Sequence, residues 1–127
     1  MQGMSPCDAH GILVIDDDAS IRALLTDFLS DEGYTVETAG NGSEALAVLN
    51  SGFRPCLILL DLNMPIMSGW EFCSAQRRRP DLAGLPVALM SAANNLAVAQ
   101  PPCRPAAVFS KPFDLFRLLS TIRTIAA

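Results

Sequence analysis

The stretch LILLDLNMPIMSG, residues 57–69, holds the features that decide the fold of this chain. It begins with a continuous apolar run, which is typical of a strand inside a parallel sheet that is covered on both faces. The acid Asp61 follows this run directly, and Pro65 and Gly69 indicate a turn. A helix is predicted from Gly69 to about Arg79, where the next residue is a proline. The stretch therefore predicts a buried strand that ends in a carboxylate and leads through a turn into a helix.

The same alternation of strand and helix patterns extends along nearly the whole chain. Strands that alternate with helices form right-handed βαβ units, so they predict a parallel sheet with helices on both faces. We expect an α/β fold with an open, doubly wound sheet of five strands. The predicted strands are residues 11–15, 34–38, 56–60, 86–90 and 106–110.

The first two helices are predicted from apolar spacing and from end signals. The second helix should begin at Asn41 and end near Gly52, and Gly33 should end the first. The apolar positions of the first helix recur at intervals of three and four residues, which is the spacing of a buried helical face. These positions are Ile21, Leu24, Leu25, Phe28 and Leu29.

The region between the fourth and fifth strands gives the weakest helix signal. Asn94 is a candidate cap, but Pro101 and Pro102 limit any helix there to about two turns. We therefore expect this fourth helix to be short or irregular. A clear apolar stripe returns in the last helix, which follows Lys111-Pro112 and uses Leu115, Leu118, Leu119, Ile122 and Ile125.

Length and composition predict one globular domain. The chain has 127 residues, of which 50% are hydrophobic and 17% are charged, and this is enough apolar material for a core. We expect a flexible tail at residues 1–10 and the domain at residues 11–127. The sequence shows neither a signal-peptide pattern nor an apolar run of the roughly 20 residues that a membrane span needs, so no membrane association is expected.

Charge and cysteine content limit the kinds of binding site that this chain can be expected to have. The formal net charge is −4 and the pI is about 4.7, which argues against direct contact with nucleic acid. The basic run from Arg77 to Arg79 lies where a helix should end, and cations there offset the helix dipole. Cys56 and Cys73 fall in apolar stretches and are predicted to be small buried residues. With scattered cysteines and a single histidine, a zinc site is not expected, and a cytoplasmic location fits best.

Polar residues with chemical potential follow four of the five predicted strands. The first strand is followed by Asp16 and Asp17, the third by Asp61, the fourth by Ser91 and the fifth by Lys111. One acid after a strand is usually a cap or turn residue, but a suitable residue after four of five strands indicates a site. The carboxyl ends of parallel strands share one edge of the sheet, where ligands of such folds bind. We therefore expect these five side chains to converge.

The chemistry of this set favours phosphoryl transfer to a carboxylate. Carboxylates that lie close together repel one another, and a hard divalent cation removes that repulsion. Mg²⁺ prefers oxygen ligands and is commonly shared with a phosphate, while a lysine can pair with a phosphoryl oxygen. An activated carboxylate nucleophile beside a cation and a lysine fits that reaction. Asp18 is interpreted differently, as the residue that begins the first helix.

Four segments in order resemble the receiver domain of two-component response regulators. They are LVIDDD at residues 13–18, LILLDLNMPIMSG at 57–69, VALMSA at 87–92 and FSKPF at 109–113. Each segment alone is a weak signal, but their order and spacing match over roughly residues 11–126. The resemblance implies a flavodoxin-like receiver fold with strand order 2-1-3-4-5.

The resemblance also implies a role for each site residue. Asp61 would be the phosphoacceptor, Ser91 the switch hydroxyl, and Lys111 the lysine that contacts the phosphoryl group. Asp17 would be the main metal carboxylate, with Asp16 beside it in the acidic pocket. Asn63 would give a backbone carbonyl to Mg²⁺, so that the metal ligands are Asp17, Asp61 and Asn63.

The resemblance implies partners as well as residues. A histidine kinase or a histidine phosphotransfer protein would supply the phosphoryl group, and a downstream effector protein would read it. The chain would act as a phosphoacceptor, with at most self-catalysed phosphorylation and dephosphorylation, and not as an enzyme on other substrates. A weak homodimer is left open.

The sequence departs from the family pattern only away from the acids. Many receivers have an aromatic residue three positions before the lysine, where this chain has Val108. The segment from Ser91 to Lys111 is also slightly short and contains three prolines. Both departures affect the face through which receivers usually signal.

Two other functions stay open at this point. A receiver-like interaction module would use the same fold without phosphorylation. An Asp-nucleophile phosphatase of the haloacid dehalogenase type also combines a carboxylate, Mg²⁺, a hydroxyl and a lysine at strand ends. Its nucleophile would follow the first strand in a D-x-D-x-T/V pattern, whereas Asp16-Asp17-Asp18 is followed by Ala19-Ser20.

Overall fold

A computed structural model describes residues 8–61, 69–92, 106–111 and 114–126 of the chain. These residues form a five-stranded sheet in which every observed strand pair is parallel, with the order β2-β1-β3-β4-β5. The predicted fold class and strand order are therefore confirmed. The strands are β1 (Asp8–Ile15), β2 (Thr35–Ala39), β3 (Pro55–Asp61), β4 (Val87–Ala92) and β5 (Ala107–Lys111).

Helices cover both faces of this sheet. Within the described ranges they are α1 (Ala19–Asp31), α2 (Gly42–Asn50), α3 (Gly69–Arg77) and α4 (Leu115–Ala126). α4 is the predicted last helix, which follows the fifth strand. The short helix predicted between the fourth and fifth strands lies outside the described residues. None of the helices that the structure describes combines the length and apolar character needed to cross a membrane.

Two apolar layers, one on each face of the sheet, explain why the strand sequences are continuous runs of hydrophobic residues. Side chains alternate across a strand, so Leu13 and Ile15 pack on one face of the sheet, and Ile12 and Val14 pack on the other. The first layer includes side chains from α2 and α3, and the second includes side chains from α1 and α4. Because both faces are covered, β1 cannot show the polar alternation of a half-exposed strand.

The ends of α1 and α2 follow the signals in the sequence. Asp18 caps α1, and its side chain accepts hydrogen bonds from the backbone N–H groups of Ser20 and Ile21. This confirms the interpretation of Asp18 as a helix-starting residue. Gly33 and Gly52 follow α1 and α2 with φ values of +96° and +108°, a conformation that residues with a Cβ rarely adopt.

Some predicted details are wrong. β1 begins at Asp8, three residues before the predicted start at Gly11, and the sheet pairs Asp8 with Pro55. Leu24 was placed in the buried stripe of α1, but it is 48% exposed. The buried face of α1 is centred between Leu25 and Leu29. Since successive residues are 100° apart around a helix, Leu24 points about 120° away from the centre of that face.

The cysteines agree with the predicted burial but add a covalent feature. Cys56 is a buried thiol outside any disulfide, and its Sγ lies 3.0 Å from the carbonyl oxygen of Gly11 as a hydrogen-bond donor. Cys73 on α3 is also buried, but it is disulfide-bonded, which the sequence analysis did not predict. Sequence separation does not reveal which thiols a fold brings together.

Opposite charges meet at the edge where the strands begin. The Asp81 carboxylate lies 2.9 Å from the Nη2 atom of Arg54 and 2.9 Å from that of Arg79. Arg79 also donates from Nη1 to the side-chain oxygen of Asn50 at 2.7 Å. We call these four residues, Asn50, Arg54, Arg79 and Asp81, the amino-edge network. The helix-end interpretation of the arginine run is confirmed, because α3 ends at Arg77.

Candidate functional site

Three predicted acids meet at the edge where the strands end. Asp61 is the last residue of β3, and Asp16 and Asp17 follow β1. The register pairs Ile15 with Leu60, so Asp16 and Asp61 are level at this edge. One carboxylate oxygen from each of the three acids lies within 4.8 Å of the other two. The convergence expected from the strand ends is therefore present for these residues.

The acids differ in their environment. Asp16 and Asp61 are buried, with 0% and 3% of their surface exposed, whereas Asp17 is exposed. Hydrogen bonds anchor Asp16: its Oδ1 accepts from the Asp18 N–H at 2.9 Å, and its own N–H donates to the Ala39 carbonyl at 3.1 Å. Asp17 makes no hydrogen bond or ion pair with the part of the chain that the structure describes.

This arrangement suits a hard divalent cation. Like charges at such distances repel one another, and burial of two of them reduces the screening by water. A cation that accepts oxygen ligands removes the repulsion and draws all three carboxylates to itself. The donors that the described residues supply are carboxylate oxygens, and such a set fits Mg²⁺ better than the nitrogen- and sulfur-preferring transition metals.

The other predicted site residues are placed by their backbone. Ser91 pairs with Ser110 between β4 and β5, and Lys111 pairs with Ala92 as the last residue of β5. Asp61 pairs with Met90, the residue before Ser91. The backbones of Ser91 and Lys111 therefore lie at the same edge as the acids. Asn63 lies outside the described residues.

The position where receivers often carry an aromatic residue is occupied by Val108, which packs as an ordinary strand residue. Val108 is half-buried, pairs with Leu89 and packs against the first apolar layer. Phe109 points to the other face, where it is buried and has the Arg117 guanidinium 5.5 Å from its ring centroid. The ring of Phe109, one position later, therefore does not take the place of the aromatic residue that many receivers have at position 108.

One residue near the acids was missed in the sequence. Arg22, in the first turn of α1, donates from Nη1 to the backbone carbonyl oxygen of Asp16 at 2.7 Å. An arginine on a helix carries no signal for such a contact, because its target is a backbone atom in another element. Only a prediction of the turn geometry after β1 would have found it.

Comparison with known proteins identifies the family. The family model for the response regulator receiver domain matches residues 12–123. Response regulator MprA of Mycobacterium ulcerans is 38% identical over 116 residues, which cover 90% of this chain and 49% of that protein. The chain thus spans about half the length of the curated relatives of this kind.

Solved structures give the same result. The chemotaxis protein CheY4 of Vibrio cholerae has a TM-score of 0.82 and 33% identity, with 91% of this chain and 97% of that chain covered. The response regulator TrrA of Thermotoga maritima, solved with Mg²⁺ and BeF, has a TM-score of 0.79 and 31% identity, with the same coverage of 91% and 97%. The chain belongs to the response regulator receiver domain family, the phosphoacceptor module of two-component signalling.

Proposed function

We propose that Asp61 is the residue that accepts the phosphoryl group, in a Mg²⁺-binding acidic pocket that it shares with Asp16 and Asp17. One observation carries this proposal: oxygens of Asp16, Asp17 and Asp61 lie within 4.8 Å of one another at the carboxyl edge of the sheet. Asp61 is the member of this set at the end of the central strand β3. The proposed metal ligands are Asp17, Asp61 and the backbone carbonyl of Asn63.

The proposed step is an in-line transfer from a phosphohistidine. A carboxylate oxygen of Asp61 attacks phosphorus, the phosphorus–nitrogen bond breaks, and its electron pair returns to the imidazole of the donor. The product is an acyl phosphate on Asp61. Bound Mg²⁺ would neutralise charge on the phosphoryl oxygens and on the acids. Hydrolysis later breaks the phosphorus–oxygen bond and restores the carboxylate, so the domain catalyses at most its own phosphorylation and dephosphorylation.

Ser91 and Lys111 complete the proposed site. Their backbones lie on the two strands beyond β3, at the edge where the acids converge. A lysine ammonium there can pair with a phosphoryl oxygen, and a serine hydroxyl can donate a hydrogen bond to another. Both groups would then distinguish the phosphorylated from the unphosphorylated domain.

The proposed partners follow from this chemistry. A histidine kinase or histidine phosphotransfer protein would supply the phosphoryl group, and an effector protein would bind the phosphorylated form. The negative formal charge gives no support for direct binding to nucleic acid. We place this activity in the cytoplasm.

Phosphorylation by a small-molecule donor tests the proposal. Incubated with acetyl phosphate and Mg²⁺, the protein should gain one hydroxylamine-labile phosphoryl group by intact-mass measurement. Asp61→Asn and EDTA should each abolish the gain. Asp81→Asn is the matched control, because it removes the same charge from the opposite edge of the sheet, and it should be labelled as fully as the native chain. Labelling that survives in Asp61→Asn would refute the assignment, and no labelling of the native chain would favour a phosphorylation-independent interaction module.

A further inference from the structure

The side chain of Arg22 connects two turns at the carboxyl edge. Its Nη1 donates to the carbonyl oxygen of Asp16, in the turn between β1 and α1, at 2.7 Å. The same atom lies 3.5 Å from the point that a Cβ on Gly40 would occupy, in the turn between β2 and α2. Arg22 is half-buried, and its guanidinium lies between the turn that carries the metal acids and a neighbouring turn.

The neighbouring turn is itself held firmly. Glu44 accepts a hydrogen bond from the Gly40 N–H at 2.8 Å, and its own N–H donates to the side chain of Asn41 at 2.9 Å. A Cβ on Gly40 would approach the Glu44 carboxylate to 3.2 Å, which is tighter than ordinary contact. The missing side chain at Gly40 thus leaves space for both the carboxylate and the Arg22 guanidinium, and Arg22 packs against a fixed surface.

The placement of Asp17 depends on the backbone of this turn. Asp17 is exposed, and its carboxylate has no hydrogen bond or ion pair within the described ranges. The carbonyl that Arg22 binds belongs to the peptide unit that joins Asp16 to Asp17. Since a peptide unit is planar, fixing its carbonyl oxygen fixes the direction in which Asp17 leaves the turn. The hydrogen bond from Arg22 therefore acts on the backbone next to an acid whose own carboxylate has no hydrogen bond or ion pair within the described ranges.

We propose that Arg22 is a positioning residue for the divalent-cation site, which it supports by fixing the peptide between Asp16 and Asp17. This inference rests on the proposed function, because the cation must bind in the acidic pocket with Asp17 as a ligand. The expected effect of Arg22 on Mg²⁺ affinity is opposite to the effect that its positive charge alone would have. A positive charge near the site repels a cation, so a charge effect alone would make the native protein bind Mg²⁺ more weakly than a variant without Arg22.

Calorimetric titration with Mg²⁺ alone separates the positioning effect of Arg22 from the effect of its charge. Arg22→Met keeps the apolar stem and loses every donor, and it should raise the Kd for Mg²⁺ roughly tenfold, as is typical when a group that orients a metal ligand is removed. Arg22→Lys restores a donor and should recover most of the affinity. Arg123→Met is the matched control, since it removes an arginine whose ion pair with Glu32 at 2.9 Å joins the far ends of α4 and α1. It should bind Mg²⁺ as the native chain does.

Amide hydrogen exchange without metal gives an independent measurement. Arg22→Met should exchange faster than the native chain at the Asp18 amide, whose N–H donates to Asp16 Oδ1 in the same turn, while Arg123→Met should not. Tighter Mg²⁺ binding in Arg22→Met, or unchanged binding with unchanged exchange, would overturn the inference. A native chain that binds no Mg²⁺, or binds it equally after Asp17→Asn, would overturn the proposed metal site and this inference together. Asp17-dependent binding that ignores Arg22 would overturn only the inference.

Discussion

The two edges of the sheet use charge in opposite ways. At the amino edge, one carboxylate, Asp81, lies 2.9 Å from each of two guanidinium groups. At the carboxyl edge, three carboxylates lie within 4.8 Å of one another. Paired opposite charges favour the folded state, whereas like charges that lie close together oppose it unless positive charge nearby compensates for them. The comparison indicates that one edge serves stability and the other serves binding, and each edge can be tested by substitution.

The pKa values at the amino edge agree with this contrast. The hydrogen bond from Arg79 lowers the pKa of Asp81, burial opposes this, and the charges of Arg79 and Arg54 lower it further. The same hydrogen bond raises the pKa of Arg79. Both shifts favour the charged forms, so the pair is more stable ionised in the folded chain than its groups would be apart.

The largest effect on stability is expected near the amino edge, at Gln76. This buried amide donates from Nε2 to the carbonyl oxygens of Leu82 at 2.9 Å and Leu85 at 3.1 Å. Gln76→Met keeps the length but removes both donors, and should lower the free energy of unfolding by about 1–3 kcal/mol. Urea denaturation measures this, with exposed Arg78→Met as the control. A stability loss no larger than that of the control would show that the loop before β4 is held by other contacts.

The carboxyl edge should respond in the opposite direction. Asp17→Asn removes one of the like charges, and in metal-free protein it should raise the free energy of unfolding by up to roughly 1 kcal/mol, the repulsion of two charges near 5 Å in water. The variant should also lose the stabilisation that Mg²⁺ gives the native chain. Denaturation curves with EDTA and with Mg²⁺ measure both changes.

Asp27→Asn is the control for that experiment, because it removes the same charge from an exposed position on α1. It should leave the response to Mg²⁺ intact. If Asp17→Asn instead destabilises the metal-free protein, the carboxyl edge does not carry the unfavourable repulsion that distinguishes it from the amino edge.

The smallest expected effect is the loss, at low pH, of the stability that the amino-edge network contributes. The folded-state pKa of Asp81 lies below its ordinary value of 3.8, so its contribution to stability is present above that value and is lost as pH falls through the folded-state pKa. Asp81→Asn should therefore be slightly less stable than the native chain at neutral pH, and the difference should vanish in acid. Denaturation at a series of pH values measures this. A difference that grows toward low pH would contradict the assignment, and added salt should weaken the effect because the pair is exposed.

Local patterns in the sequence were sufficient for most of the fold. Continuous apolar runs predicted strands covered on both faces, and helix end signals at Asp18, Gly33 and Gly52 were correct. The meeting of Asp16, Asp17 and Asp61 was also predictable, although 44 residues separate Asp17 from Asp61 in the numbering. Parallel strands place all their carboxyl ends at one edge, so a residue's position after its strand fixes its place in the fold.

Other features were decided only when the elements packed together. The sequence placed Leu24 in the core, but the sheet selects the face of α1 that contains Leu25 and Leu29. No local pattern indicated that Arg22 reaches the Asp16 carbonyl or that Cys73 is disulfide-bonded. Periodicity records which residues are apolar and where the chain turns, and both are local properties. A contact between a side chain and a distant atom depends on how whole elements are rotated and spaced, and that is set by tertiary packing.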